Sequence, residues 1–212
     1  PTLEPPVRDS NSKKQVIKDS TPSESDLQAA QDTTELEQII QRDDSPDRGS
    51  WQKPSVVIEK MGDLSNKTVA DIGFGSGFFS RRLAQKAKKV IGVESVPDAI
   101  SAAKENAAFN GIANVEFYVG DMKNVFNEQF INIHGKPDVI ITDPPRDGMH
   151  KDVVKQILNI APKKVVYVSC NSATQARDLQ LMDAIYKVTK TQAVDMFPQT
   201  HHVENIVLLE LR

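Results

Sequence analysis

The chain has 212 residues, 39% of them hydrophobic and 26% charged, with 26 basic against 29 acidic side chains and a net charge of −3. This is the balance of one globular domain with a tail, and it excludes a collagen, a coiled coil, a disulfide scaffold and two full domains. The single cysteine, Cys170, has no internal partner and suits a reducing, cytoplasmic compartment, while the longest apolar runs, such as Val165–Val168, fall far short of the ~20 residues of a membrane helix, so neither a signal peptide nor a membrane partner is expected.

Residues 1–50 contain no Phe, Trp or Tyr, five prolines, and 11 acidic against 6 basic side chains. Such a segment buries too little apolar surface to offset its ordering entropy. It reads as a disordered acidic leader, with one short helix over Asp32–Gln41 where Leu36, Ile39 and Ile40 share a face. Residues 51–212 carry 20 basic and 18 acidic side chains, a near-neutral folded domain without a strongly basic face.

From Trp51 onward, apolar runs of strand length alternate with amphipathic stretches of helix length, the pattern of an α/β fold around a parallel sheet. Strands are predicted at Thr68–Ile72, Val90–Val93, Val115–Val119, Val139–Thr142 and Val165–Ser169. Helices are predicted at Pro54–Met61, Phe78–Ala87, Asp98–Asn110, Asp152–Ile160 and Ala173–Ile185. Pro54 in a first turn, Gly62 just past a last turn and Asn110 with Gly111 after another punctuate them. Lys187–Val194 and Asn205–Leu211 then read as two strands with no helix between, which makes the last strand antiparallel.

Asp71, Gly73, Gly75 and Gly77 fall where the first strand hands over to a helix. Glycines there let the backbone turn sharply and approach a ligand in front of helix N-terminal amides. A dinucleotide fingerprint needs G-x-G-x-x-G, but its third glycine position is Phe78, so nicotinamide and flavin dinucleotides lose ground. With Glu94 ending the next strand, the pattern resembles the first two motifs of class I S-adenosylmethionine (AdoMet) methyltransferases. That resemblance implies a Rossmann-like three-layer α/β/α sandwich, seven-stranded and mostly parallel with an antiparallel last strand. It also implies AdoMet as cofactor, held by the glycine loop, with Glu94 on the ribose hydroxyls and Asp121 at the adenine. Asp121 is equally readable as a helix cap.

Asp143, Pro144, Pro145 and Arg146 close the fourth strand on the edge where ligands bind in open α/β sheets. Amino-methylating enzymes of this fold carry an aromatic where Arg146 stands, which disfavours an exocyclic amine as target. Cys170 ends the following strand. A lone cysteine is by default a small buried hydrophobe, but this one sits on the ligand edge between Ser169 and Asn171. Together with Arg177, Asp178, Asp195, Pro198, Thr200, His202 and Glu204, the stretch resembles the RNA uracil-5-methyltransferase family over about residues 68–212. RNA cytosine-5 enzymes carry a second cysteine after the fourth strand, and residues 143–148 hold none.

The resemblance implies Cys170 as nucleophile and Glu204 as base, AdoMet contacts from Asp71, Gly73, Gly75, Gly77, Glu94, Asp121 and Asp143, and contacts to an RNA uracil from Asp143, Arg146 and Asn171. Uracil C5 is too weak a nucleophile to accept a methyl group unaided, so thiolate addition at C6 and a base for the C5 proton account for the two residue types. His201 and His202 lack ligand spacing and are read as solvated or structural, with no metal expected. Family members carry an upstream nucleic-acid-binding β-barrel and a central RNA-contacting domain, which these residues do not include. A fragment, a fusion or a first third from another branch therefore all remain open. So do methyl transfer to a small molecule with the thiol unused, and a non-catalytic remnant that binds AdoMet or RNA.

Overall fold

A computed structural model describes residues 54–75, 77–195, 199–201 and 203–212. The acidic leader with its short helix, and Pro198 and His202 of the last motif, lie outside the described residues. The elements run α1 (Pro54–Met61), β1 (Thr68–Ile72), α2 (Phe78–Ala84), β2 (Lys89–Glu94), α3 (Pro97–Phe109), β3 (Val115–Val119), α4 (Met122–Val125) and α5 (Glu128–His134). They continue with β4 (Val139–Thr142), α6 (Lys151–Ile160), β5 (Lys164–Ser169), α7 (Ser172–Met182), β6 (Tyr186–Val194) and β7 (Glu204–Leu211).

The seven strands form one sheet in the order β3-β2-β1-β4-β5-β7-β6. The first five are parallel, and β7 runs antiparallel to both β5 and β6. Alternate residues of the central strands feed two cores, as expected for a sheet covered on both faces. Ala70, Ile91, Ile140, Val165, Tyr167 and Val207 pack with Phe126 and Phe130 beside α4 and α5, Ile157 of α6 and Met182 of α7. Val69, Val90, Ile141, Val166, Val168 and Leu208 pack on the opposite face against Val57, Ile58 and Met61 of α1 and Leu83 of α2. Ile100 and Ala103 of α3 close over Phe74 and Phe117. The three-layer sandwich and the antiparallel last strand expected from the sequence are both present.

The sequence pattern misses α4 and α5. At four and seven residues they are too short to display a helical period, and their signal is in the caps: the Asp121 carboxylate accepts the Lys123 N–H at 3.0 Å and the Asn127 side chain accepts the Phe130 N–H at 2.9 Å. Two predicted helices also end earlier, at Ala84 rather than Ala87 and at Met182 rather than Ile185. Among the described residues no helix is long and apolar enough to cross a membrane.

Candidate active site

The strand order reverses between β1 and β4, and crevices at such a point on the carboxyl edge are where open α/β sheets bind ligands. A cleft of about 630 Å³ opens there, lined by Gly73, Glu94, Asp121, Asp143, Cys170 and Glu204 among others. Its apolar wall is made by Ile72, Val93, Met122, Met149 and Val153.

Gly73 leaves β1 at φ 72°, and a Cβ added there would stand 3.0 Å from the Asp143 carbonyl oxygen. Any side chain would therefore separate the β1 and β4 loops. Gly75 faces open space, with nothing within 4 Å of where its Cβ would stand. Gly77 begins α2 without a side-chain cap. Glu94 holds this loop in place: its Oε2 accepts the Gly75 N–H at 3.1 Å, while Oε1 accepts the Ser95 N–H at 2.7 Å and the Ser95 hydroxyl and Val96 N–H at 3.1 Å.

Asp71 lies beneath the loop, fully buried, with the Ser80 hydroxyl donating to it. Burial, reinforced by the Glu94 charge, pushes its carboxyl up to about 7 against the lowering effect of Ser80. Asp121 lines the cleft and also caps α4. Burial raises its carboxyl, but the Lys123 N–H and the Lys123 ammonium at 3.1 Å outweigh that and hold it below the ordinary carboxylate range.

Asp143 is open on its cleft side, yet the surrounding walls, with the Glu204 and Asp71 charges, push its carboxyl up to about 7. Cys170 is half-buried at the mouth of β5. Its position is fixed from both sides, since the Ser169 hydroxyl donates to the Asn171 carbonyl and accepts the Asn171 N–H, each at 3.1 Å. Glu204 reaches the same place because β7 is antiparallel: its first residue lies at the edge where β5 ends. The ladder pairs Val168 with Ile206 and Ser169 with Asn205, so one further step of that register sets Cys170 across from Glu204. Glu204 is buried, which pushes its carboxyl up against the opposing pull of Arg146, and its Oε2 finds no hydrogen-bond partner among the described residues.

Arg146 and Asn171 do not line the cleft, and neither do Asp71, Gly75 and Gly77 of the expected cofactor residues. The Asn171 side chain caps α7, accepting the Ala173 N–H at 3.1 Å and the Thr174 N–H at 3.5 Å, and donates to the Arg146 carbonyl at 3.1 Å. Both ends of that amide thus fasten the β4 loop to α7. Arg177 and Asp178, which the sequence offered only as part of the family resemblance and without a role, complete the fastening. Buried Asp178 accepts the Met149 N–H at 2.7 Å, the Tyr167 hydroxyl at 2.8 Å and the Arg177 guanidinium at 2.7 Å, and Arg177 donates to the Asp147 carbonyl at 2.8 Å. The available signal was the buried stripe of α7, Gln175, Asp178 and Met182, which puts two polar residues where a helix normally presents apolar ones.

The arrangement supplies a backbone loop with a carboxylate behind it, then a thiol and two carboxylates of raised pKa farther along the same cleft. A solved structure of similar fold is the Pyrococcus abyssi tRNA (uracil-54, C5)-methyltransferase in complex with S-adenosyl-L-homocysteine. It is 34% identical, with a TM-score of 0.66 over 76% of this chain and 38% of that one. A SAM-dependent methyltransferase from Aquifex aeolicus, at 16% identity and TM-score 0.62, covers 82% of this chain and 98% of its own and shares the fold. Among curated proteins, uncharacterized RNA methyltransferases of Bacteroides thetaiotaomicron and Porphyromonas gingivalis are 58% and 50% identical over 74% and 76% of this chain. The chain spans about a third of their length, 35% of each. The family model for tRNA (Uracil-5-)-methyltransferase matches residues 55–212, and the chain belongs to that family.

Proposed function

We propose that this domain transfers a methyl group from AdoMet to C5 of a uracil in transfer or ribosomal RNA, through a covalent adduct on Cys170. The observation that carries the reading is that Cys170 and Glu204, each one step beyond the last paired residues of β5 and β7, line the same cleft as Gly73 and Glu94. The loop fits the cofactor, since Gly75 leaves open space where a side chain would stand and Glu94 offers a carboxylate to a ribose. When bound, AdoMet supplies an electrophilic methyl group on a sulfonium.

The Cys170 thiolate adds to uracil C6, and the electrons of the C5–C6 double bond move to O4 as an enolate. C5 of the enolate then takes the methyl group. Glu204 removes the C5 proton, the double bond re-forms and the thiolate leaves. A buried carboxylate of raised pKa is a stronger base than a solvated one, which suits this step. Asp143, holding a proton near neutral pH, can donate to a uracil oxygen, while Arg146 and Asn171 act through the β4 loop.

Two substitutions separate the roles. Cys170→Ala is expected to give neither methylated RNA nor a covalent adduct. Glu204→Gln is expected to accumulate a methylated protein–RNA adduct on denaturing gels, with turnover reduced about 10²–10⁴-fold. Methyl transfer by Cys170→Ala would overturn the mechanism, and wild-type turnover by Glu204→Gln would overturn the base assignment.

A further inference from the structure

We infer that Gln175 is a positioning residue for this reaction, its buried amide fixing the start of β7, and with it Glu204, against the strand end that carries Cys170. The inference rests on the roles proposed above for Cys170 and Glu204. Glu204 pairs with Val194 of β6, but on its other side the β5–β7 ladder stops at Ser169 and Asn205. The Gln175 bonds begin where that ladder stops.

Gln175 projects from α7 and is 1% exposed. Its Nε2 donates to the Tyr167 carbonyl of β5 at 2.9 Å and to the Asn205 carbonyl of β7 at 3.1 Å. Its Oε1 accepts the Asn205 Nδ2 at 2.6 Å, and Asn205 Oδ1 in turn accepts the Thr191 hydroxyl of β6 at 3.2 Å. One amide therefore joins β5 three residues before the thiol to β7 one residue after the carboxylate. An apolar side chain would fill the same helix position. It would leave the Glu204 end of β7 held by β6 and by the last β5 pair, Ser169 with Asn205, with no bond from α7.

A base displaced by about 1 Å can lose on the order of a hundredfold in rate. The loss should fall on proton removal, because thiol attack and methyl transfer precede it. The test uses the full chain, AdoMet and unmodified transfer and ribosomal RNA transcripts, with and without 5-fluorouridine. Fluorine at C5 traps the adduct before the base acts. Gln175→Met and Asn205→Ala should trap 5-fluorouridine RNA at the parental rate, yet resolve the adduct on ordinary RNA about ten- to a hundredfold more slowly. The exchanged pair Gln175→Asn with Asn205→Gln should recover part of that loss.

Should Gln175→Met fail to fold, Asn205→Ala decides. Parental resolution by the single variants overturns the inference, as does equal slowing of trapping and resolution, which is what a general structural lesion would give. If the unsubstituted chain forms no 5-fluorouridine adduct, the proposed mechanism fails first and the inference with it.

Discussion

At the scale of single residues, the carboxylate proposed for the ribose of AdoMet is one that already holds a loop. Glu94 already accepts four donors from Gly75, Ser95 and Val96, so it is oriented before any ribose arrives. Hydrogen bonds to a charged group are worth about 1.5–3 kcal/mol. Glu94→Ala should therefore weaken AdoMet binding by roughly one to two decades in calorimetry, and unchanged affinity would remove Glu94 from the cofactor site. Asp71 poses a different test. Its carboxyl rises from 3.8 to about 7, so between those values the folded protein keeps a proton that the unfolded chain has released. Stability should fall as pH rises through that window and level off above it, at about 1.4 kcal/mol per pH unit for one group. Asp71→Asn has no such proton, so its melting temperature should gain on the parent by roughly 5–10 °C between pH 5 and pH 8. A gap that stays constant with pH would contradict the assignment.

At the scale of elements, α7 is the fastener of the site. Asp178 gathers the Met149 N–H, the Tyr167 hydroxyl and Arg177, so Asp178→Ala leaves a buried phenol unpaired and should cost about 3 kcal/mol in chemical denaturation. Gly148, at φ +79°, lies so close to that helix that an added Cβ would stand 2.6 Å from both Arg177 Nη2 and Asp178 Oδ2. Gly148→Ala should then displace the β4 loop and impair RNA methylation more than AdoMet binding; equal loss of both would argue against a local effect. Little of this fastening was legible in the sequence. The limits of β1 and β4 coincide with their apolar runs because a strand covered on both faces declares itself by composition. The bonds from Asn171 to Arg146 and from Gln175 to Asn205 join residues 25 and 30 positions apart, and hydrogen bonding leaves no periodic trace between such partners. Asn171, which the family resemblance sets at the substrate, bonds to the protein through both ends of its amide.

At the scale of the whole molecule, one topological fact assembles the chemistry: only an antiparallel strand can bring its first residue to the edge where its parallel neighbours end. Glu204 lines the same cleft as Cys170 for that reason, and the intervening chain, α7 and β6, supplies the helix whose Gln175 bonds to both strands. The same view bears on RNA. Residues 51–212 carry 20 basic and 18 acidic side chains, and residues 1–50 carry 6 and 11, so attraction to phosphates rests on local groupings rather than net charge. Each phosphate neutralised contributes a slope of about −0.7 to the logarithmic salt dependence of single-stranded binding. These 212 residues should accordingly bind an unmodified transfer RNA transcript weakly, with a slope shallower than about −5. A steeper slope in a salt titration would require seven or more neutralised phosphates by that relation, and thus a concentrated basic face within a chain of near-neutral total.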